Sequence, residues 1–168
     1  TKLFLNIASF GLSGEIVNRV NRAGLSKRLG GPFAFRWHST AVALTFRPWR
    51  VHLAVDDSFS QDISVSTVAI CNGRYFGGGM KIAPEADIAD GLFDIVVIAE
   101  TGRRAMLARM NDIYTGAHVT HPNVRVLRGR KVTASPLSGP CFAERDGEGG
   151  MNLPATFEIM PGALTLVI

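Results

Sequence analysis

Apolar residues in this chain gather into many short runs broken by glycine, proline and acidic turns. Two predominantly apolar runs, residues 65–70 and 93–99, read as buried strands. Residues 3–10 open the chain as a further strand. Ser13 is placed to cap a short helix with Ile16, Val17 and Val20 on one face, closed by Gly24. Pro32 starts a second helical stretch carrying Phe33, Trp37, Ala41 and Leu44, stopped by Pro48. Residues 51–55 alternate loosely, and Asp56-Asp57-Ser58 turns the chain into the run from Ile63. Thr101 is placed to cap a third helix, with Met106, Leu107, Met110 and Ile113 at helical spacing. Strands are predicted again at 124–127, 131–135 and 141–145. The end reads as a hairpin: Phe157 and Ile159, a Pro161-Gly162 turn, then Leu164, Leu166 and Ile168. The whole pattern predicts a mainly β chain with a few helices, folded as an antiparallel β-sandwich in one domain over residues 1–168.

Composition narrows the class. Of 168 residues, 46% are apolar and 19% charged, which excludes a disordered chain. No apolar run approaches the roughly 18 residues of a membrane span. The chain begins at Thr1 with no signal peptide, so it is expected to be a piece of something longer. Two cysteines, Cys71 and Cys141, make no disulfide framework, and a reducing compartment is the default. There is no C-x-x-C, and His38, His52, His118 and His121 are scattered, so they read as surface or core-edge residues, not metal ligands. The net charge is +4. Arg19, Arg22, Lys27 and Arg28 form one basic group, and Arg125, Arg128, Arg130 and Lys131 another. Either suits an anionic surface. No aromatic residues interleave with them as a base-stacking platform needs, so no nucleic-acid partner is expected.

Candidate chemistry lies in the turns. Between the two buried runs sits Asn72-Gly73-Arg74-Tyr75-Phe76-Gly77-Gly78-Gly79-Met80, a long glycine-rich connection of the kind that lets backbone approach a ligand closely. It is neither a P-loop nor a G-x-G-x-x-G element opening a helix. In Asp146-Gly147-Glu148 the glycine permits a sharp turn, so both carboxylates can project from one loop and Glu148 can take a proton from an attacking hydroxyl. On spacing alone a solvated acidic turn, prolonged by Gly149-Gly150, explains it as well. Asp87 and Asp90, three apart before Gly91 and Leu92, can hold a hard cation through oxygen ligands, although a plain turn accounts for the same spacing. No G-x-S-x-G elbow is present, so a serine hydrolase has no support.

Singly these turns are unspecific, but their order is not. Phe4-Leu5-Asn6-x-Ala8-Ser9-x-Gly11, Asn72-Gly73-x3-Gly77-Gly78-Gly79-Met80, Pro84-x-Ala86-x3-Asp90-Gly91-x2-Asp94 and Asp146-Gly147-Glu148 together resemble the C-terminal half of the diacylglycerol kinase family, which includes bacterial lipid kinases and sphingosine and ceramide kinases. The resemblance spans essentially the whole chain. It implies a β-sandwich that closes the cleft of a two-domain kinase, with ATP held by an N-terminal α/β domain through a Gly-Gly-Asp-Gly-Thr loop that this sequence lacks. This half alone is therefore expected to be inactive. The resemblance makes Glu148 the general base for a lipid hydroxyl and Asp146 its partner, organising the nucleotide-metal site. It places a structural Mg²⁺ on the main-chain carbonyls of Asp87 and Leu92 and the Asp90 side chain. The implied cofactors are ATP and Mg²⁺. The implied partners are the missing N-terminal domain and a lipid at the membrane, reached by peripheral association from the cytoplasm with the inner face. Separation from its other half can leave an apolar face that drives a homodimer. An NAD-kinase-like enzyme and a non-catalytic lipid- or protein-binding sandwich are the alternatives.

Overall fold

The structure, a computed structural model, describes residues 1–23, 47–100 and 111–165. The stretch from Pro32, most of the helix expected from Thr101, and Gly24, Leu166 and Ile168 lie outside the described residues. Nine strands form one antiparallel sheet: β1 (Ile7–Gly11), β2 (Trp49–Val55), β3 (Phe59–Cys71), β4 (Phe93–Ala99), β5 (Val124–Gly129), β6 (Lys131–Pro136), β7 (Phe142–Arg145), β8 (Glu148–Asn152) and β9 (Ala155–Glu158). The order is β8-β7-β1-β3-β2-β6-β9, with β4 on β3 and β5 on β4. Three short helical pieces accompany them: α1 (Leu12–Ala23), α2 (Asp112–Thr115) and a 3-10 turn at Ala117–Thr120.

The long strand β3 makes the sheet fold over. Its first half, from Phe59 to Val65, pairs with β2, and its second half pairs with β1 on the same edge and β4 on the other. Between Val65 and Thr67 the register with β4 slips by one residue, leaving Ser66 as a bulge. A bulge bends and twists the strand and reverses which parity faces inward. Ile63 and Val65 accordingly pack on the main core before it, and Val68 and Ile70 after it. That core draws Ala8 and Phe10 from β1, Val51, Leu53 and Val55 from β2, Ile95 and Val97 from β4, Val132 and Ala134 from β6 and Phe157 from β9, so the sheet encloses it as a sandwich. Phe4 stacks on Phe93 with ring centroids 5.7 Å apart and meets Phe157 edge-on at 6.3 Å.

A second cluster explains why the runs at 65–70 and 93–99 are apolar on both faces. Ile7, Ala69, Cys71 and Val96 face away from the main core and are covered by Ile82, Ala83 and Ala86 of the glycine-rich connection. Strands β1, β3 and β4 are thus buried on both sides. The Lys81 N–H donates to the Ile113 carbonyl (2.8 Å), and His118 Nε2 lies 3.0 Å from the Ile82 carbonyl, so α2 and the 3-10 turn hold that cover down. Both cysteines are buried free thiols, and burial pushes that of Cys141 up to about 11.

Several local expectations change. The first strand begins at Ile7, not Leu3, because residues 5–7 are occupied by a side-chain clasp described below. Strand β1 runs into α1 with no intervening loop, so Ser13 falls inside the first turn and not at its cap. Gly149 and Gly150 belong to β8, where pairing with β7 supplies what composition withholds. β9 pairs with β6, and residues 159–165 form no second hairpin strand. Among the described residues no helix is long and apolar enough to cross a membrane.

Candidate active site

Asp146 and Gly147 are the two-residue loop of the β7–β8 hairpin, flanked by the paired Arg145 and Glu148. Both have positive φ, 46° and 80°. This is the turn whose twist matches a β-hairpin, and Asp-Gly suits it because glycine carries no Cβ and aspartate tolerates the left-handed region.

Two carboxylates pin the turn. Asp146 Oδ1 accepts the backbone N–H groups of Asn6 (3.0 Å) and Ile7 (2.9 Å), and Oδ2 accepts that of Leu5 (2.7 Å). The Asp146 N–H in turn donates to the Ile7 carbonyl at 2.8 Å. From the other side, the Gly147 N–H donates to Glu144 Oε2 at 2.8 Å, while the Ser9 hydroxyl donates to Glu144 Oε1. Ser9 and Glu144 are directly opposed, buried residues of β1 and β7. Burial raises the Glu144 carboxyl above its ordinary range, against the pull of those two hydrogen bonds.

Glu148 is the contrast. Its side chain is 73% exposed, and its carboxylate meets the Arg145 guanidinium at 3.2 Å. Arg145 is only 14% exposed and its Nη1 lies 3.1 Å from Met151 Sδ. An accessible carboxylate therefore stands on a turn whose backbone cannot easily drift.

The glycine-rich connection starts at the same end of the sheet. The Asn72 and Gly73 N–H groups donate to the Asn6 carbonyl (2.8 and 3.2 Å), Asn72 Nδ2 donates to the Leu5 carbonyl (2.8 Å), and Asn6 Nδ2 to the Tyr75 carbonyl (3.0 Å). A Cβ at Gly73 would lie 2.3 Å from Asn6 Oδ1, so any larger residue there would have to push the Asn6 side chain aside. Asn6, Asn72 and Asp146, far apart in sequence, meet here. Gly77, Gly78 and Gly79 form the tip of a loop closed by reciprocal Phe76 and Met80 backbone bonds, both 3.0 Å.

The second acidic turn is folded by its own side chains. Asp87 Oδ1 accepts the Ala89 N–H (2.9 Å), and Asp90 Oδ1 accepts the Leu92 N–H (2.8 Å). Arg128 Nη2 donates to Asp90 Oδ2, and Arg128 Nε lies 3.7 Å from Asp94. Asp94 is buried, its Oδ2 has no hydrogen-bond partner, and burial raises its carboxyl above the ordinary range despite Arg128. Asp87, Asp90 and Leu92 offer oxygen ligands, the kind a hard cation takes, but both Asp90 carboxylate oxygens are already engaged, one by the Leu92 N–H and the other by Arg128. Among the described residues no group of three His, Cys, Asp or Glu side chains could hold a metal.

Sequence reasoning missed the role of Glu144 and its contact with Ser9; nothing local in Phe142-Ala143-Glu144-Arg145 marks that carboxylate as buried. It also missed a hydrogen-bonded row on the opposite part of the sheet, Ser60 Oγ to His52 Nε2 (3.2 Å) and His52 Nδ1 to Asp62 (2.7 Å). His52 and Asp62 are a cross-strand pair and half exposed, so water competes for each bond and the row serves strand pairing.

Comparison with known proteins agrees with this architecture. Residues 6–168 match the model of the YegS C-terminal NAD kinase beta sandwich-like domain. The diacylglycerol kinase of Mycobacterium tuberculosis is 28% identical over 166 residues, 99% of this chain and 52% of that protein. A Chromohalobacter salexigens protein named "Probable lipid kinase YegS-like" is 30% identical over 171 residues, 97% of this chain and 51% of that protein. The crystal structure of a diacylglycerol kinase from Bacillus anthracis superposes with a TM-score of 0.60 at 17% identity, over 95% of this chain and 47% of the other, and so shares the fold. The chain spans about half the length of the curated relatives it matches. It belongs to the family of YegS C-terminal, NAD kinase-like β-sandwich domains.

Proposed function

We propose that residues 1–168 are the C-terminal domain of a two-domain, ATP-dependent lipid kinase, active only with its nucleotide-binding half. The observation that carries this reading is Glu148, an exposed carboxylate on a turn pinned from both sides. The relatives' names favour a lipid acceptor over an NAD-kinase-like reaction.

In this reading Glu148 takes the proton of the lipid hydroxyl while that oxygen attacks the γ-phosphorus of ATP in line. The new O–P bond forms as the bond to the ADP oxygen breaks. Arg145 orients the Glu148 carboxylate. Asp146 spends three lone-pair positions on backbone N–H groups, so it serves by fixing the turn and by the one position left to the nucleotide-metal site. A Mg²⁺ would be held by the Asp87 and Leu92 carbonyls and, in place of Arg128, by the Asp90 carboxylate, and would supply positive charge at that turn. Peripheral association with the inner face of the membrane would rest on exposed basic groups. Arg128 is partly spent on Asp90 and Asp94, and Arg125 lies 5.6 Å over the Phe59 ring.

The test is ATP-dependent phosphorylation of a lipid panel (diacylglycerol, phosphatidylglycerol, sphingosine and ceramide) by the full-length protein and its Glu148→Gln variant. General-base help is worth about 10²–10⁴-fold, and kcat is expected to fall by that factor with folding intact. Near-normal turnover of the variant would remove Glu148 from the mechanism.

A further inference from the structure

A carboxyl in the middle of a strand, buried between neighbouring strands, is an expensive choice where valine would pack. Glu144 sits there with one oxygen on Ser9 and the other on the Gly147 N–H. The loop of the hairpin contains two backbone N–H groups, those of Asp146 and Gly147. The first is held by the Ile7 carbonyl and the second by Glu144. The Arg145–Asp146 and Asp146–Gly147 peptide planes are therefore both held, the first by Ile7 and the second by Glu144. Ser9 in turn fixes Glu144, because β1 and β7 place the two residues directly opposite each other.

We propose that Glu144 is a positioning residue for phosphoryl transfer: its buried side chain, braced by Ser9, locks the Asp146-Gly147 turn so that Glu148 meets the acceptor hydroxyl. The inference rests on the reading of Glu148 as the base. Its role is geometric. A glutamine can do the same work, with its amide oxygen accepting from Gly147 and its amide N–H donating to the Ser9 oxygen.

The experiment uses full-length protein carrying Glu144→Ala, Glu144→Gln or Ser9→Ala, with kinetics and residue-resolved amide hydrogen exchange measured on each. Glu144→Ala is expected to speed exchange at the Gly147 N–H by about 10-fold or more, leaving β2 and β6 amides unchanged. It should lower kcat by about 10²-fold, the scale of a 1 Å misplacement, with KM for lipid and ATP unchanged. Glu144→Gln should stay close to wild type in both readouts. Ser9→Ala should shift both in the same direction by less, and it decides the matter if Glu144→Ala does not fold. Unchanged exchange at Gly147 overturns the proposal, as does faster exchange with kcat intact. A glutamine variant as impaired as the alanine one overturns it too, since charge would then be at work. If wild-type protein phosphorylates no lipid, the kinase reading fails, while Gly147 exchange still decides whether Glu144 holds the turn.

Discussion

A carboxylate that gathers three backbone N–H groups cannot be removed without releasing all three. Asp146→Ala strips the acceptor from Leu5, Asn6 and Ile7 and also places alanine at φ 46°. Water can reach part of this network, so the expected loss is about 1–3 kcal/mol by urea unfolding, toward the upper end if the strain is not relieved. Glu144 behaves differently with pH. Its folded carboxyl binds a proton more tightly than the unfolded one, because burial raises its pKa. The stability linked to it is fully present below the unfolded value, about 4.3, and is lost as pH rises through the folded value. Relative to the parent, Glu144→Gln should therefore gain in Tm as pH rises from about 4 through the folded value. A difference in Tm that stays flat over that range would show that the carboxyl is not perturbed.

Among the elements, the glycine-rich connection matters most, because it is both cover and site. Ile82, Ala83 and Ala86 seal one face of β1, β3 and β4, while Asn72 and Gly73 join the Asn6 network. His118 pins this cover through the Ile82 carbonyl, and burial lowers its imidazole below the ordinary 6.5, partly offset by that carbonyl. A base with a depressed folded pKa contributes stability that is present above the unfolded value and lost as pH falls through the folded one. Acidification from about pH 7 to about pH 5 should loosen residues 72–92, read as faster hydrogen exchange there, and His118→Gln should abolish that dependence. The buried strands beneath this element were legible because they are mostly apolar over six or seven residues. The Ser66 bulge was not, since the Ser-Thr pair at 66–67 looks the same whether or not the register slips. Strand β8 was hidden by Gly149 and Gly150, and the Ser9–Glu144 contact by the 135 residues separating its partners. Turn chemistry was readable locally, as at Asp146-Gly147. What each turn is fastened to was not.

For the molecule as a whole, one antiparallel sheet folded over its core brings the ends of β1, β3, β4 and β7 to a common edge, where the candidate groups gather. If this edge faces a nucleotide-binding half, the 168-residue chain alone should turn over no ATP. It should still bind anionic vesicles through Arg125, Arg130 and Lys131 at roughly 1 kcal/mol per residue, screened by salt. Sedimentation with phosphatidylglycerol vesicles at low and high salt measures this, and binding indifferent to anionic lipid would leave these side chains without a membrane role.

The clasp at Asp146 has a mechanical side. Phe4 is wedged against Phe93 and Phe157, and the next three amides grip the hairpin tip. A twist applied to the chain just ahead of Ile7 has no slack in which to dissipate. It is delivered within a few residues to the turn beside Glu148, so residues 4–6, which lead into β1, act as a short crank whose angle and the attitude of that carboxylate are set together.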